Sequence, residues 1–177
     1  DQVASLTTDQ IVAFTGAQVA ALTTDQVVAL GSDQIMAIET DDLQKMTTAQ
    51  IKALSSDQTV SLSTDQVKAL LGAQVAALTT DALSALTSDQ VPAIDSADVQ
   101  KMTTGQIQAL TTDQVINLTT DQVAALLSAT QIKALTTDQV KALTTDQVQA
   151  LTATQVGALT TDQVLTLTSD QIIAIET

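Results

Sequence analysis

The sequence predicts an all-α solenoid, a superhelix of very short helices with one helix to each eight-residue repeat. Three observations predict it. The 177 residues divide into octads of the form DQVxALTT almost without interruption. Within each octad the two recurrent apolar positions stand three residues apart, as neighbours on one helix face. Thr, Ser and Asp gather just ahead of each apolar pair, where a helix begins. The prediction covers residues 1–177 as a single octad-repeat domain.

Counted from Asp1, the chain reads DQVASLTT, DQIVAFTG, AQVAALTT, DQVVALGS and so on to DQIIAIET at Asp170–Thr177. There are 22 units, and one extra residue, Ala129, precedes the unit Thr130–Thr137. Position 6 is always large and apolar, as in Leu6, Phe14, Leu22, Leu30, Ile38 and Met46. Position 3 is β-branched or Leu, with Thr59 its one polar member. Val3, Leu6, Ile11, Phe14, Val19, Leu22, Val140 and Leu143 are therefore the representative core residues. Position 5 is mostly Ala, so neighbouring helices can approach closely.

The remaining positions punctuate. Thr, Ser or Gly at position 8 suits an N-cap, with Asp at position 1 as the first helical residue, near the positive end of the helix dipole. Thr at position 7 and Gln at position 2 also make a Thr-x-x-Gln capping box, so the cap can shift by one residue between units. Leu71, Leu127 and Glu39 depart from Thr at position 7. Pro92, at position 4, removes a backbone donor early in its unit.

Two other folds fit less well. One continuous helix advances about 100° per residue, which would carry the apolar stripe about 80° further round with every octad. A β-solenoid, with VxAL as strand and TTDQ as turn, would put position 6 on the opposite face from positions 3 and 5 and leave it exposed. Ala and Gln are also weak strand formers. A single octad cannot stand alone, because burying one Val and one Leu does not offset the ordering of eight residues. Octads must stack, sharing cores with the units above and below.

A longer period lies over the octad. Asp33–Leu62 resembles Asp89–Leu118, and AQVAALTT occurs at Ala17 and again at Ala73. Both offsets are seven octads, which suggests duplication of a block and a whole number of superhelical turns. Two units in this pattern break the consensus. Asp42 and Asp98 replace Gln, and Lys45 and Lys101 take the small position 5. These four are the candidate contact residues, marking a subunit contact or an outer corner of the coil. Apolar residues at position 4, among them Val12, Val28, Met36, Ile116, Leu165 and Ile173, belong either to a lateral interface or between layers.

Composition narrows the function. The net charge is -14, and the six cations are all lysines, a balance opposed to nucleic acid and to an anionic membrane. No apolar run approaches the ~18 residues of a membrane span. There is no Cys or His, no nucleophile motif and no nucleotide-binding loop, so neither enzyme activity nor a cofactor is expected. Asp at position 1 comes singly, eight residues apart, which does not cluster the oxygens a calcium loop needs. A flat hydroxyl array of Thr pairs, for ice or mineral, is the weaker reading beside capping. The chain opens at Asp1 in mid-pattern without Met or a visible secretion signal, as expected of a mature product or a segment of something longer.

Tracts such as LTTDQVKAL resemble the octapeptide-repeat regions of large secreted or surface proteins of Gram-negative bacteria, the adhesin- or haemagglutinin-like class. The resemblance runs through the whole chain. It implies an extracellular or cell-surface location and a structural or adhesive role. The expected function is a structural repeat protein of a filament, sheath or surface layer, extended by head-to-tail stacking. Its partner is then itself or a longer repeat tract. The alternative is an adhesive module that recognises a surface or glycan.

Overall fold

The computed structural model describes residues 2–126 and 128–175, with the side chain of Leu126 outside the description. Leu127 and the chain ends Asp1, Glu176 and Thr177 lie outside it too. From Thr8–Val12 to Ser169–Ile175 the chain is a succession of helices of four to seven residues, one per octad. Two units form 3-10 turns instead, Val3–Ser5 and Val91–Ala93. Among the described residues every regular element is helical.

Each helix is too short to persist alone, so its ends are closed by side chains and by its neighbours. The helix Thr24–Ala29 shows the design. Thr23 sits just ahead of it in extended conformation, and its hydroxyl accepts from the Gln26 N–H. Gln26 Oε1 accepts in return from the Thr23 N–H at 2.8 Å. At the other end the Leu30 N–H donates to the Val27 carbonyl, and Leu30 turns extended. Leu at position 6 and Thr at position 7 therefore form the whole connection to the next helix. Among the described residues no φ is positive, so the turn needs no glycine.

The cap falls on position 7 rather than position 8. Thr7, Thr15, Thr47, Thr103, Thr111 and Thr144 all cap this way. Asp at position 1 becomes the second helical residue, still inside the first turn where its charge meets the dipole. The reason is reach: only from position 7 can the Thr hydroxyl and the Gln amide three residues on close both halves of the box. At Gly31 and Leu71 only the Gln half remains, each backbone N–H donating to Oε1 of Gln34 or Gln74. Pro92 lacks the N–H that an α-turn would require, and its unit tightens to the 3-10 turn Val91–Ala93.

Helices stack on the third helix along. Thr24–Ala29 packs on Thr48–Ala53, Ser56–Val60 on Thr80–Ala85, and Thr145–Gln149 on Ser169–Ile175. Position 3 fills the axis of the coil: Val27, Ile35, Ile51, Val67, Ile107, Val115 and Val140 are fully buried. Position 6 closes the layer beside it, with Leu30, Leu54, Leu70 and Leu143 buried. Thr59 fits this axis because its hydroxyl donates to the Ser55 carbonyl at 2.9 Å. Of the representative core residues, Val3, Ile11, Val19, Val140 and Leu143 are buried, whereas Leu6, Phe14 and Leu22 are half-buried. Those three lie in the first turn of the described coil.

Candidate functional site

The most regular polar feature of the molecule is a ladder of buried glutamines. Gln50 shows each rung. Its Oε1 accepts from the N–H of Thr47, the cap of its own helix, at 2.7 Å. Its Nε2 crosses to the previous superhelical turn and donates to the carbonyls of Val19 at 2.8 Å and Leu22 at 2.7 Å. The residue is almost wholly buried. One amide thus caps its own helix and ties down the last turn of another, using both of its N–H donors and its oxygen.

The rung repeats at fixed offsets. Gln58 reaches Val27 and Leu30, Gln106 reaches Val75 and Leu78, and Gln114 reaches Leu83 and Leu86, always 31 and 28 residues back. The carbonyl taken at each of these offsets belongs to position 3 or position 6, the end of a helix whose last C=O groups have no partner of their own. Rungs of 28 and 31 residues, with helices stacked on the third unit along, place one superhelical turn between three and four octads.

Ala129 is absorbed without breaking the ladder. Gln139 and Gln147 reach 32 and 29 residues back, across the extra residue. Gln163 returns to 31 and 28. At the insertion itself Gln131 holds the carbonyls of Gln100 and Met102 more loosely, at 3.3 and 3.0 Å. A groove of about 480 Å³ opens there between Met102, Ala125, Ser128 and Gln131.

Asp42, Lys45, Asp98 and Lys101 occupy the outer wall, each pair against a glycine of the turn below. The Lys45 stem lies over Gly16, one turn below, with the Asp42 carboxylate beside it. Lys101 and Asp98 lie over Gly72 in the same way. A Cβ on Gly16 would overlap Lys45 Cγ, and one on Gly72 would come within 2.7 Å of Lys101 Cγ and 2.8 Å of Asp98 Oδ1. The offset from position 8 to this position 5 is 29 residues. Elsewhere the same offset pairs Thr24 with Ala53 and Thr48 with Ala77, while Ser61 Oγ donates to the Ser32 carbonyl. The two lysines at position 5 are thus each matched by a glycine one turn below.

Asp98 cannot donate downward as Gln does. Burial raises its pKa above the usual carboxylate value, and the nearby Asp95 charge raises it further. The Gly72 N–H, donating to the carboxylate, and the Lys101 ammonium oppose that rise.

Other surfaces are simpler. Position 4 faces outward: Val12, Val28, Met36, Ile116, Leu165 and Ile173 are all exposed. Among the described residues no three metal-ligating side chains converge, and no helix is long and apolar enough to cross a membrane. Sequence reasoning assigned Gln at position 2 only to the cap. The signal for its second role was present: a capping box accepts Glu as readily as Gln, yet Glu never occurs at position 2. A buried carboxylate could not donate to the two carbonyls.

Comparison with curated proteins gave no match. A model of the ALTTAQ repeat matches at residues 3–38, 35–72, 91–126 and 127–153, about three quarters of the chain. The repeat, the one-helix octad and the glutamine register all run through those segments, and the chain belongs to the ALTTAQ repeat family.

Proposed function

We propose that this chain is a structural scaffold, not an enzyme, that extends by head-to-tail stacking in an extracellular filament, sheath or surface layer. The observation that carries the reading is the glutamine ladder. Each turn is bonded to the one before by the same buried amides, so added turns repeat the same contacts. Such an architecture has no intrinsic length. The work is mechanical: layers of Val, Ile and Leu hold the coil, and the Asp of position 1 keeps an acidic, hydrated skin.

The resemblance to surface-protein repeat tracts supports the extracellular or cell-surface location. The partner under this reading is another octad tract, without cofactor, nucleic acid or membrane insertion. Negative-stain electron microscopy of the purified protein tests it. Long, unbranched fibres of one width are expected. Dispersed particles that bind a glycan-coated or abiotic surface would replace the scaffold by an adhesive module.

A further inference from the structure

We infer that the strip formed by Val12, Met36 and Val60 on the outer wall is a docking surface for a basic amphipathic helix of a partner protein. This surface lies on the side of the coil, so it is independent of head-to-tail stacking.

Position 4 faces outward wherever the coil is followed. Ile116, with a turn of the coil on either side, is still 45% exposed. Many octads fill this position with a residue suited to water, such as Gln44, Lys52, Lys68, Gln108 or Lys133. Three stacked helices do not. Thr8–Val12 packs on Ser32–Met36, which packs on Ser56–Val60. Val12, Met36 and Val60 therefore stand in one column, 46%, 51% and 40% exposed. The same column continues through Ser84 and Gln108 to Lys133, so the apolar strip ends after Val60.

Charge selects the occupant. Each apolar member has an Asp three residues before it on the same helix face: Asp9, Asp33 and Asp57, all exposed. The three helices carry no lysine, and residues 9–44 hold six acids without one. An apolar strip edged by carboxylates fits a partner whose apolar stripe is flanked by Lys or Arg. A second copy of this chain fits poorly, since a net charge of -14 opposes packing side by side. An anionic lipid surface is opposed for the same reason.

Spacing selects a helix. Stacked helices lie about 8–10 Å apart, and residues seven apart on an α-helix are separated by about 10.5 Å along its axis. Apolar side chains at i, i+7 and i+14 of the partner then meet the three apolar members in turn, with basic residues over the three carboxylates. Met36 suits the centre of this contact, because its unbranched side chain repacks easily.

The test is calorimetric titration of the 177-residue chain with a synthetic helical peptide of about 18 residues, its Leu stripe including i, i+7 and i+14 and flanked by Lys. A peptide of the same composition in scrambled order is titrated beside it. Salt-sensitive binding of the first is expected, with the scrambled peptide weaker by roughly tenfold or more. Met36→Gln with Val60→Gln is expected to cost a similar factor, and Gln is a residue position 4 already accepts at Gln44 and Gln108. Asp33→Ala with Asp57→Ala, after the pattern of Ala17 and Ala49, should weaken binding about threefold and flatten its salt dependence. Ile116→Gln should change nothing. Equal affinity for the two peptides, no binding of either, or wild-type affinity in the folded Met36 and Val60 double variant would overturn the inference. The scrambled peptide decides the matter without any substitution if that variant unfolds. Side-by-side self-association lost in the double variant would give the strip to a second copy, and binding to neutral phosphatidylcholine vesicles lost in the same variant would give it to lipid; either result also overturns the helical partner.

Discussion

A glutamine side chain is an unusual thing to bury, and here it is buried once per octad along most of the chain. Gln50, Gln122, Gln139 and Gln147 are among the most deeply enclosed side chains in the molecule. Burial is tolerable because every polar atom is used. Replacing an interior rung leaves two carbonyls and a capped N–H without partners, each costing about 1–3 kcal/mol. Gln106→Ala should therefore lower stability by roughly 2–4 kcal/mol in urea unfolding, whereas Gln18→Ala, in the first turn, should lose only its cap contribution of about 1 kcal/mol. Similar losses at the two sites would show that the amide acts only as a cap. Asp98 provides the pH-dependent counterpart. Its folded pKa is raised, so the folded state holds the proton more tightly than the unfolded state. Its contribution is most favourable below the ordinary value of 3.8 and is lost as pH rises through the folded pKa. Asp98→Asn should then raise the melting temperature at neutral pH, and the gain should shrink in acid.

At the scale of the element, the octad helix is held by three devices that are all local in sequence: a Thr cap, a Gln box and an apolar pair. The octad DQVxALTT encodes them directly, and its spacing places one helix in each unit. The pattern left the cap open between positions 8 and 7, because Thr, Ser or Gly at position 8 and Thr at position 7 are both good caps by type. Geometry chose position 7, the residue from which both halves of the box close. The match between Gly16 and Lys45, and between Gly72 and Lys101, is the element-scale rule that ties one helix to the next turn. Gly72→Ala should cost about 1–3 kcal/mol through crowding against the Lys101 stem. In a Lys101→Ala background the loss should be smaller, with only the Asp98 carboxylate, 2.8 Å from the added Cβ, left to shift. A double-mutant cycle by thermal unfolding measures this, and additive losses would mean the two residues do not press on each other.

For the whole molecule the relevant length is the superhelical turn. A stretch of about 28 residues closes one turn but contains no rung, because every rung spans that distance. Residues 1–32 alone should be largely unfolded by circular dichroism. Residues 1–88, which complete the rungs of Gln34 through Gln74, should be helical and melt cooperatively at a lower temperature than the full chain. A helical spectrum from the short fragment would show that the octad does not depend on stacking. The graded rise with length is the behaviour of a one-dimensional array, in which each unit adds its own term and one interface.

By itself the sequence determined the octad, the helical state of each unit, which positions are apolar and the existence of a two-block duplication. All of these rest on contacts within about eight residues, where propensity, capping and i, i+3 spacing suffice. The tertiary structure alone decided which carbonyls each glutamine reaches, and that Lys45 and Lys101 sit over glycines one turn below. Those contacts join residues 26–32 apart. They depend on the small, cumulative rotation of each short helix against the next, a quantity no single octad carries.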